Sequence, residues 1–103
     1  MSYLYNHEQK EMADFIKRDI SPSYFYRQEL PNAKLNRHGW NYGQSCCFCE
    51  DKSGSLRIDL ETGAFKCIAC GVSGGDIIEF TITRYKIQMA EALAKLEFIY
   101  CLG

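Results

Sequence analysis

The chain of 103 residues lacks an excess of charge of either sign, a long apolar run and an export signal. Twelve basic residues stand against thirteen acidic ones, whereas strong nonspecific nucleic-acid binders carry a basic excess. No apolar run approaches the roughly 20 residues that span a bilayer, and the N-terminus has neither the basic nor the apolar segment of a signal peptide. We therefore expect a soluble cytoplasmic protein without a membrane partner, whose nucleic-acid binding on its own would be weak and salt-dependent.

Proline is also scarce, with two in the chain, and neither a repeat nor a low-complexity tract indicates a linker or an array. A chain of 103 residues can build one hydrophobic core but not two. A core of this size gives marginal stability, so a bound metal ion would add directly to the free energy of folding. We expect a single domain over residues 1–103.

Cysteine, in contrast, is abundant, and four of the six cysteines form two pairs. Cys46 and Cys49 enclose two residues, as do Cys67 and Cys70, and 17 residues separate the pairs. Two such pairs about 15–20 residues apart have the spacing of a structural zinc site. Four thiolates then close a tetrahedron around the ion and leave no open position for a water molecule. We expect one structural Zn²⁺ that holds two turns together.

Other chemistries fit the cysteine pattern less well. A thioredoxin-like redox pair needs a βαβ context, two disulfides need an oxidising compartment, and an iron–sulfur cluster, which also uses four cysteines, is not excluded by sequence. Cys47 is a second candidate for the first ligand, but its C-x-C spacing with Cys49 suits a knuckle turn less well than that of Cys46. Cys47 is then a small side chain in the turn, and Cys101 a tail or packing residue.

The hydrophobic pattern predicts two N-terminal helices. The first is expected over residues 6–19, with Asn6 as its N-cap. Its apolar stripe comprises Met12, Phe15 and Ile16. The second is expected to start at Ser21 and Pro22, a good N-cap and first helical residue, and to end before Pro31. Its aromatic residues lie at helical spacing and are expected in the core: Tyr24, Phe25 and Tyr26.

Short antiparallel strands are predicted between residues 34 and 68. One of them alternates apolar and polar side chains and so predicts one buried and one solvated face. Its apolar positions are Leu56, Ile58 and Leu60, and its polar ones are Arg57 and Asp59. A turn at 61–63 leads into a strand over 64–67, and another strand starts at Trp40 after the turn residue Gly39. These signals predict a zinc ribbon over residues 34–70.

Two further helices are predicted in residues 71–103, over about 76–84 and 88–99, with Asp76 as the N-cap of the first. Together with the helical N-terminal extension of residues 1–33, they flank the ribbon in the sequence. The expected fold class is therefore a small α+β fold, in which an antiparallel β-meander surrounds a four-cysteine zinc site between N-terminal and C-terminal helices.

Two sequence blocks resemble the zinc-binding domain of bacterial, phage and plasmid DNA primases, the CHC2-type zinc finger. The segment from Gly39 to Cys49 resembles that family's G-x-N-Y-x-x-x-C-P-F-H segment, and Cys67 to Phe80 resembles its C-x-x-C-G continuation. The resemblance covers about residues 34–98 and places Cys46 at the first ligand. Cys49 replaces the family's usual histidine and Cys47 its proline, and all-cysteine versions are similar to the phage and plasmid branch.

The resemblance implies a ribbon that contacts single-stranded template DNA and helps to start a primer, in association with a primase or primase–helicase polypeptide. Binding of single strands combines cations along the backbone with aromatic platforms for the bases. The residues expected to supply both are Lys34, Arg37, His38, Trp40, Tyr42, Arg57 and Lys66. Arg37, Trp40 and Tyr42 would share one sheet face if the chain bends at Gly39.

A protein-interaction module is the alternative, in which the same ribbon docks on a primase or helicase without contacting DNA. The near-zero net charge and the aromatic segment 24–26 favour it. Enzymatic activity of this chain alone is not expected, because its acidic residues are scattered rather than gathered for magnesium. The acidic residues considered are Asp51, Asp59, Glu61 and Asp76. The glycine-rich segment 71–75 lacks the lysine of a phosphate-binding loop, so nucleotide binding is not expected there.

Overall fold

A computed structural model describes residues 6–49 and 52–100. In chain order, its elements are α1 His7–Asp19, α2 Pro22–Glu29, β1 Trp40–Gln44, β2 Leu56–Asp59, β3 Phe65–Cys67, β4 Ser73–Gly74, α3 Ile77–Tyr85 and α4 Met89–Ile99. The fold is a small α+β fold with one antiparallel sheet, as the sequence predicted. The predictions for Asp51 and Cys101 fall outside the described residues.

The predicted N-caps stand at the helix starts. Asn6 Oδ1 accepts a hydrogen bond from Gln9 N at 2.8 Å, and Gln9 Oε1 accepts one from Asn6 N, which completes a capping box for α1. Ser21 Oγ accepts from the third residue of α2, with a proline between them at the first helical position. Asp76 Oδ1 likewise accepts from the third residue of α3, at 2.9 Å. These local signals therefore predicted the helix starts correctly.

The buried stripe of α1 differs from the predicted one. Ile16 is fully buried as expected, but its inward neighbour on the helix is Ala13, while Met12 and Phe15 remain about 39% and 40% exposed. The inward face follows the spacing from Ala13 to Ile16 to Ile20, so Met12 and Phe15 lie to its sides. The guanidinium of Arg18 lies 5.1 Å from the centre of the Phe15 ring and partly covers it.

The sheet has the strand order β1-β2-β3-β4, and every adjacent pair is antiparallel. Leu56 lies opposite Cys67 and Ile58 opposite Phe65, and these four side chains are buried against the helices. The intervening positions project from the other face of the sheet. The two-residue strand β4 was not predicted, because its serine and glycine are typical of a loop and only the pairing with β3 makes them a strand.

Strand β1 begins at Trp40 after Gly39, as predicted, and residues 34–39 before it form a loop. One expectation for the ribbon is wrong in detail. Asp59, expected on a solvated face, is 8% exposed. Its Oδ1 accepts from Glu61 N and its Oδ2 from Thr62 Oγ1, so the turn folds back over the carboxylate. A short polar side chain that satisfies a turn in this way is shielded by the turn itself.

Aromatic rings link the helices to the ribbon. Phe80 of α3 lies in the middle, with ring centroids 5.0–5.7 Å from those of four other residues. These are Phe25, Tyr26, Phe48 and Phe65. Phe25 and Tyr26 are buried as predicted, whereas Tyr24 is 55% exposed, because it lies on the solvent side of α2. The core therefore extends from the helices to Phe48, between the first two cysteine ligands.

Tyr26 also makes a buried polar contact. Its hydroxyl donates to the carbonyl oxygen of Gly63 at 2.6 Å and so joins α2 to the β2–β3 turn. Burial raises the pKa of this hydroxyl well above its usual value, which keeps it a donor. None of the helices formed by the described residues is long and apolar enough to cross a membrane.

Candidate metal centre

The two cysteine pairs lie on two turns that the sheet brings together. The first pair follows β1, and the second starts at the end of β3. The four thiol sulfurs, those of Cys46, Cys49, Cys67 and Cys70, all lie within 4.8 Å of one another. Cys46 and Cys67 are buried, whereas Cys49 and Cys70 face solvent. Within residues 6–49 and 52–100, this is the only group of three or more potential ligands found close enough to share a metal ion.

The spacing of the sulfurs fits zinc. A tetrahedron with zinc–sulfur bonds of about 2.3 Å has edges of about 3.8 Å between sulfurs. Cys49 Sγ and Cys67 Sγ, which belong to different pairs, are 3.8 Å apart. The four cysteines are thus positioned to bind one zinc ion, which would join the end of β1 to the end of β3. The cluster contains Cys46 and leaves Cys47 outside.

Backbone N–H groups point at the sulfur atoms on both turns. Phe48 N donates to Cys46 Sγ at 3.3 Å, and Cys70 N donates to Cys67 Sγ at 3.4 Å. Gly71 continues the second turn with a φ of +80°, which only glycine adopts without strain, and its N–H donates to the carbonyl of Cys67. These donors stabilise thiolate charge, which a four-sulfur zinc site needs.

The two buried thiols differ in acidity. Burial raises the pKa of Cys46 to about 12. Burial also opposes ionisation of Cys67, but hydrogen bonds from the Ser55 hydroxyl, the Cys70 N–H and Cys46 outweigh it and lower the pKa of Cys67 to about 6. Since zinc binds thiolates, Cys67 supplies a negative ligand near neutral pH, whereas Cys46 loses a proton on binding.

Four of the residues expected to contact nucleic acid lie on the exposed face of the sheet. Tyr42 is 55% and Trp40 38% exposed on β1. The guanidinium of Arg57 lies 5.1 Å from the centre of the Tyr42 ring. Lys66 is paired with Arg57 across the strands and therefore projects from the same face. Trp40, Tyr42, Arg57 and Lys66 are called the outer sheet face below.

The other three expected residues, Lys34, Arg37 and His38, are exposed on the loop between α2 and β1. Arg37 precedes the first strand residue, so it does not share the pleat of Trp40 and Tyr42. His38 Nε2 lies 2.8 Å from Glu61 Oε1, at the end of the sheet where β2 turns into β3. The structure thus divides the seven residues into a sheet set and a loop set.

Two buried amides hold this loop, and the sequence reading did not identify their role. Asn41 Oδ1 accepts from the backbone N–H groups of residues 36 and 37, and its Nδ2 donates to the carbonyls of residues 37 and 39. Gln44 Oε1 accepts from Lys34 N, and its Nε2 donates to the carbonyls of residues 34 and 42. Polar residues in a strand bounded by glycine were the available signal, but their partners depend on tertiary structure.

Comparisons with known proteins agree with this site. A family profile described as a CHC2 zinc finger matches residues 8–102. The match covers α1 from its second residue onward and extends beyond the resemblance over residues 34–98 that the sequence indicated. The chain is 39% identical over 62 residues to the DNA primase of Helicobacter pylori strain J99, which is 60% of this chain and 11% of that protein. It is 36% identical over 62 residues to the DNA primase of Lactococcus lactis, 60% of this chain and 10% of that protein. The aligned part thus spans about a tenth of the length of these relatives.

Proposed function

Because the chain belongs to the CHC2 zinc finger family, we propose that it is a non-catalytic module of DNA primase type that binds single-stranded template DNA and supports primer initiation in DNA replication. The observation that supports this most directly is the outer sheet face, where aromatic rings and cations lie side by side. The proposed partner is a primase or primase–helicase polypeptide in the cytoplasm, which would supply the catalytic domain.

The chemistry of the outer sheet face suits an unpaired strand. Bases stack on exposed aromatic rings, and cations between the rings neutralise the phosphates that connect the bases. Tyr42 is the more exposed ring, and Arg57 lies against one side of it, so a base would stack on the remaining surface. Lys66 lies opposite Arg57 on the neighbouring strand, so the two cations would lie one after the other along a DNA backbone that crosses the sheet.

The small net charge of the chain limits the expected strength of DNA binding. The nearby carboxylates are engaged: that of Asp59 in its own turn and that of Glu61 with His38. This leaves Arg57 and Lys66 as the cations of the sheet, supplemented by Lys34 and Arg37 on the loop. Few phosphate contacts give weak binding with a shallow salt dependence, since each contact contributes about 0.7 to the slope of log K against log salt for single strands.

The proposed role of zinc is structural. A four-thiolate site has no open position at which to activate water or polarise a substrate. The ion would instead fix the turn after β1 against the end of β3, and Tyr42 and Lys66 stand two residues or fewer from those elements' ends. The metal therefore supports the geometry of the outer sheet face rather than any chemistry on DNA.

Trp40, the single tryptophan, reports directly on this face. Zinc-loaded protein is titrated with a short single-stranded DNA at low and moderate salt, and Trp40 fluorescence is followed together with the anisotropy of labelled DNA. We expect saturable quenching that weakens with salt, and weaker binding for Lys66→Ala. Lys10→Ala, an exposed position on α1, is the matched control and should bind like the wild type. A flat fluorescence and a flat anisotropy at both salts would overturn the proposal.

A second candidate function is docking on a primase or helicase through the helices without contact to DNA. It is favoured by exposed apolar side chains away from the sheet, above all Tyr24 at 55% and Phe98 at 85% exposure. Tyr26 cannot test it, because that residue is buried in the core. Loss of partner binding in Tyr24→Ala together with unchanged binding in Arg57→Ala would favour docking, and the reverse pattern would favour the template-contact function.

A further inference from the structure

A cavity of about 430 Å³ lies beside the first cysteine pair, on the far side of β1 from β2. Its lining comes from the end of α2, the loop that follows, the stretch from Gly43 to Cys47 and one residue of α3, Arg84. This volume is within the range of ligand sites in proteins. Because β1 is an edge strand, the cavity opens next to the strand that carries Trp40 and Tyr42.

Arg84 brings a guanidinium to the lining of this cavity, beside the Cys47 thiol. Its Nη1 is buried and has no hydrogen-bond partner among the described residues. No carboxylate of the described residues lies within 4 Å of the guanidinium, although Glu29 also lines the cavity. The Glu29 carboxylate is held elsewhere, since its Oε2 accepts from Tyr85 Oη at 2.8 Å. A thiol is a weak acceptor, so a ligand with an anionic oxygen would be a better partner for this guanidinium than Cys47.

The charges around the cavity indicate how many negative charges such a ligand carries. Arg84 and Lys34 are its cations and Glu29 is its carboxylate, which leaves one net positive charge. Cys46 also borders the cavity, and its thiolate in the metal centre adds negative charge on that side. The cavity therefore suits a monoanion better than a dianion such as a terminal phosphate.

We propose that this cavity binds one phosphodiester group of a single-stranded nucleic acid, with the Arg84 guanidinium donating to a non-bridging oxygen. The inference rests on the proposed function, and it extends the binding path from the outer sheet face around the β1 edge. A phosphodiester carries one negative charge and presents two acceptor oxygens, which match the guanidinium fork. Lys34, at the rim, provides the second cation near the same strand.

The first experiment probes the cavity without a variant. The Nε–Hε resonance of Arg84 is followed by NMR in zinc-loaded protein during titration with a thymidine dinucleotide that has one phosphodiester and no terminal phosphate. We expect a saturable shift with the dinucleotide, none with thymidine, and a smaller one with acetate. An unmoved resonance would overturn the inference. So would an equal response to acetate, which would mark a general carboxylate site suited to a peptide.

The second experiment measures what Arg84 contributes to strand binding. We expect Arg84→Gln to weaken binding of a short single-stranded DNA about tenfold or more, as one lost charge-assisted hydrogen bond would, and to reduce the salt slope by about 0.7. Arg84→Lys should restore the slope and part of the affinity. Lys95→Gln is the control, because that lysine lies on α4 against the Tyr85 ring. Zinc content and thermal unfolding are measured on each variant.

The outcomes separate this inference from the function on which it rests. If Tyr42→Ala weakens strand binding and a folded, zinc-loaded Arg84→Gln does not, the template-contact function stands and the cavity proposal is overturned. If the wild-type protein binds no strand but the dinucleotide shifts Arg84, the proposed function fails and the cavity remains a phosphodiester site. An Arg84 resonance that the dinucleotide leaves unchanged overturns the cavity proposal in either case.

Discussion

At the scale of single residues, Asn41 connects the ribbon to the loop that carries three of the candidate DNA contacts. Its amide is 1% exposed and uses both its oxygen and its nitrogen twice, always with backbone groups of the loop. No other side-chain type of similar size offers two donors and two acceptor positions. The family's asparagine before tyrosine thus has a structural reason in this chain, namely the shape of the loop at residues 36–39.

We predict that Asn41→Asp destabilises the zinc-loaded protein by about 2 kcal/mol or more, because a carboxylate would face two carbonyl oxygens in a buried site. Denaturant unfolding measures the loss. The matched control is Asn36→Ala, because Asn36 contacts Asn41 through its backbone N–H and its side chain is exposed. The control should change stability by about 0.5 kcal/mol or less. Equal stability of Asn41→Asp and wild type would contradict the assigned role.

The assignment of the cysteine ligands gives a second prediction at this scale. Cys67→Ser removes a buried ligand with a lowered pKa, so we expect loss of the bound zinc and of cooperative unfolding. Cys47→Ser should keep one zinc per chain, since Cys47 lies outside the four-sulfur cluster. Zinc analysis by mass spectrometry under native conditions compares the two variants. Stoichiometric zinc in Cys67→Ser, or its loss in Cys47→Ser, would show that the ligand set has been assigned wrongly.

At the scale of elements, the short strand β4 depends on the close approach of Gly74 to the core. A Cβ placed on Gly74 would lie 2.5 Å from Phe65 Cε1, so Gly74→Ala should overpack the core and cost about 1–3 kcal/mol. Gly75→Ala is the adjacent control, because its Cβ would meet only the flexible end of Glu79 at 3.1 Å. Thermal unfolding of both variants tests this difference. Similar melting temperatures would show that β4 moves away from Phe65 at little cost.

Elements defined by local signals were predictable, and those defined by distant contacts were not. The caps at Asn6, Ser21 and Asp76 act within three residues, so the sequence alone predicted the helix starts. Strand β4 and the burial of Asp59 depend instead on backbone groups that fold against them. The four cysteine ligands were predictable because their spacing specifies a metal site. The cavity lined by Arg84 could not be predicted, since Arg84 lies about 40 residues along the chain from the other lining residues at 43–47.

At the scale of the whole molecule, acidity and metal binding are linked through the cysteine thiols. Zinc affinity should fall with falling pH, because protons compete for the thiolates. The pKa of Cys67 is lowered to about 6, so its thiolate stabilises the folded state above its usual pKa of about 9, and this contribution is lost as the pH falls through about 6. Cys46, with a pKa of about 12, releases a proton on binding throughout this range.

The zinc-free chain is expected to be unfolded, so its thiols are protonated before binding at any pH well below their usual pKa of about 9. We therefore expect log zinc affinity to rise with pH between about pH 5 and 8 with a slope of about four protons, one for each cysteine ligand. Competition with a chromophoric chelator measures the slope. A slope of about two protons or fewer would contradict the uptake of zinc by four protonated thiols.

Removal of zinc should unfold the helices together with the ribbon. The buried core is one cluster that includes Cys46 and Cys67 as well as residues of all four helices, and Phe80 ties the first cysteine turn to α2. A chain of this size lacks a second core on which the helices could remain folded. During chelation we therefore expect far-ultraviolet circular dichroism and Trp40 fluorescence to change in a single coincident transition, and to recover together when zinc is restored. Helical signal that persists after the Trp40 transition is complete would show that the helices fold independently of the metal centre.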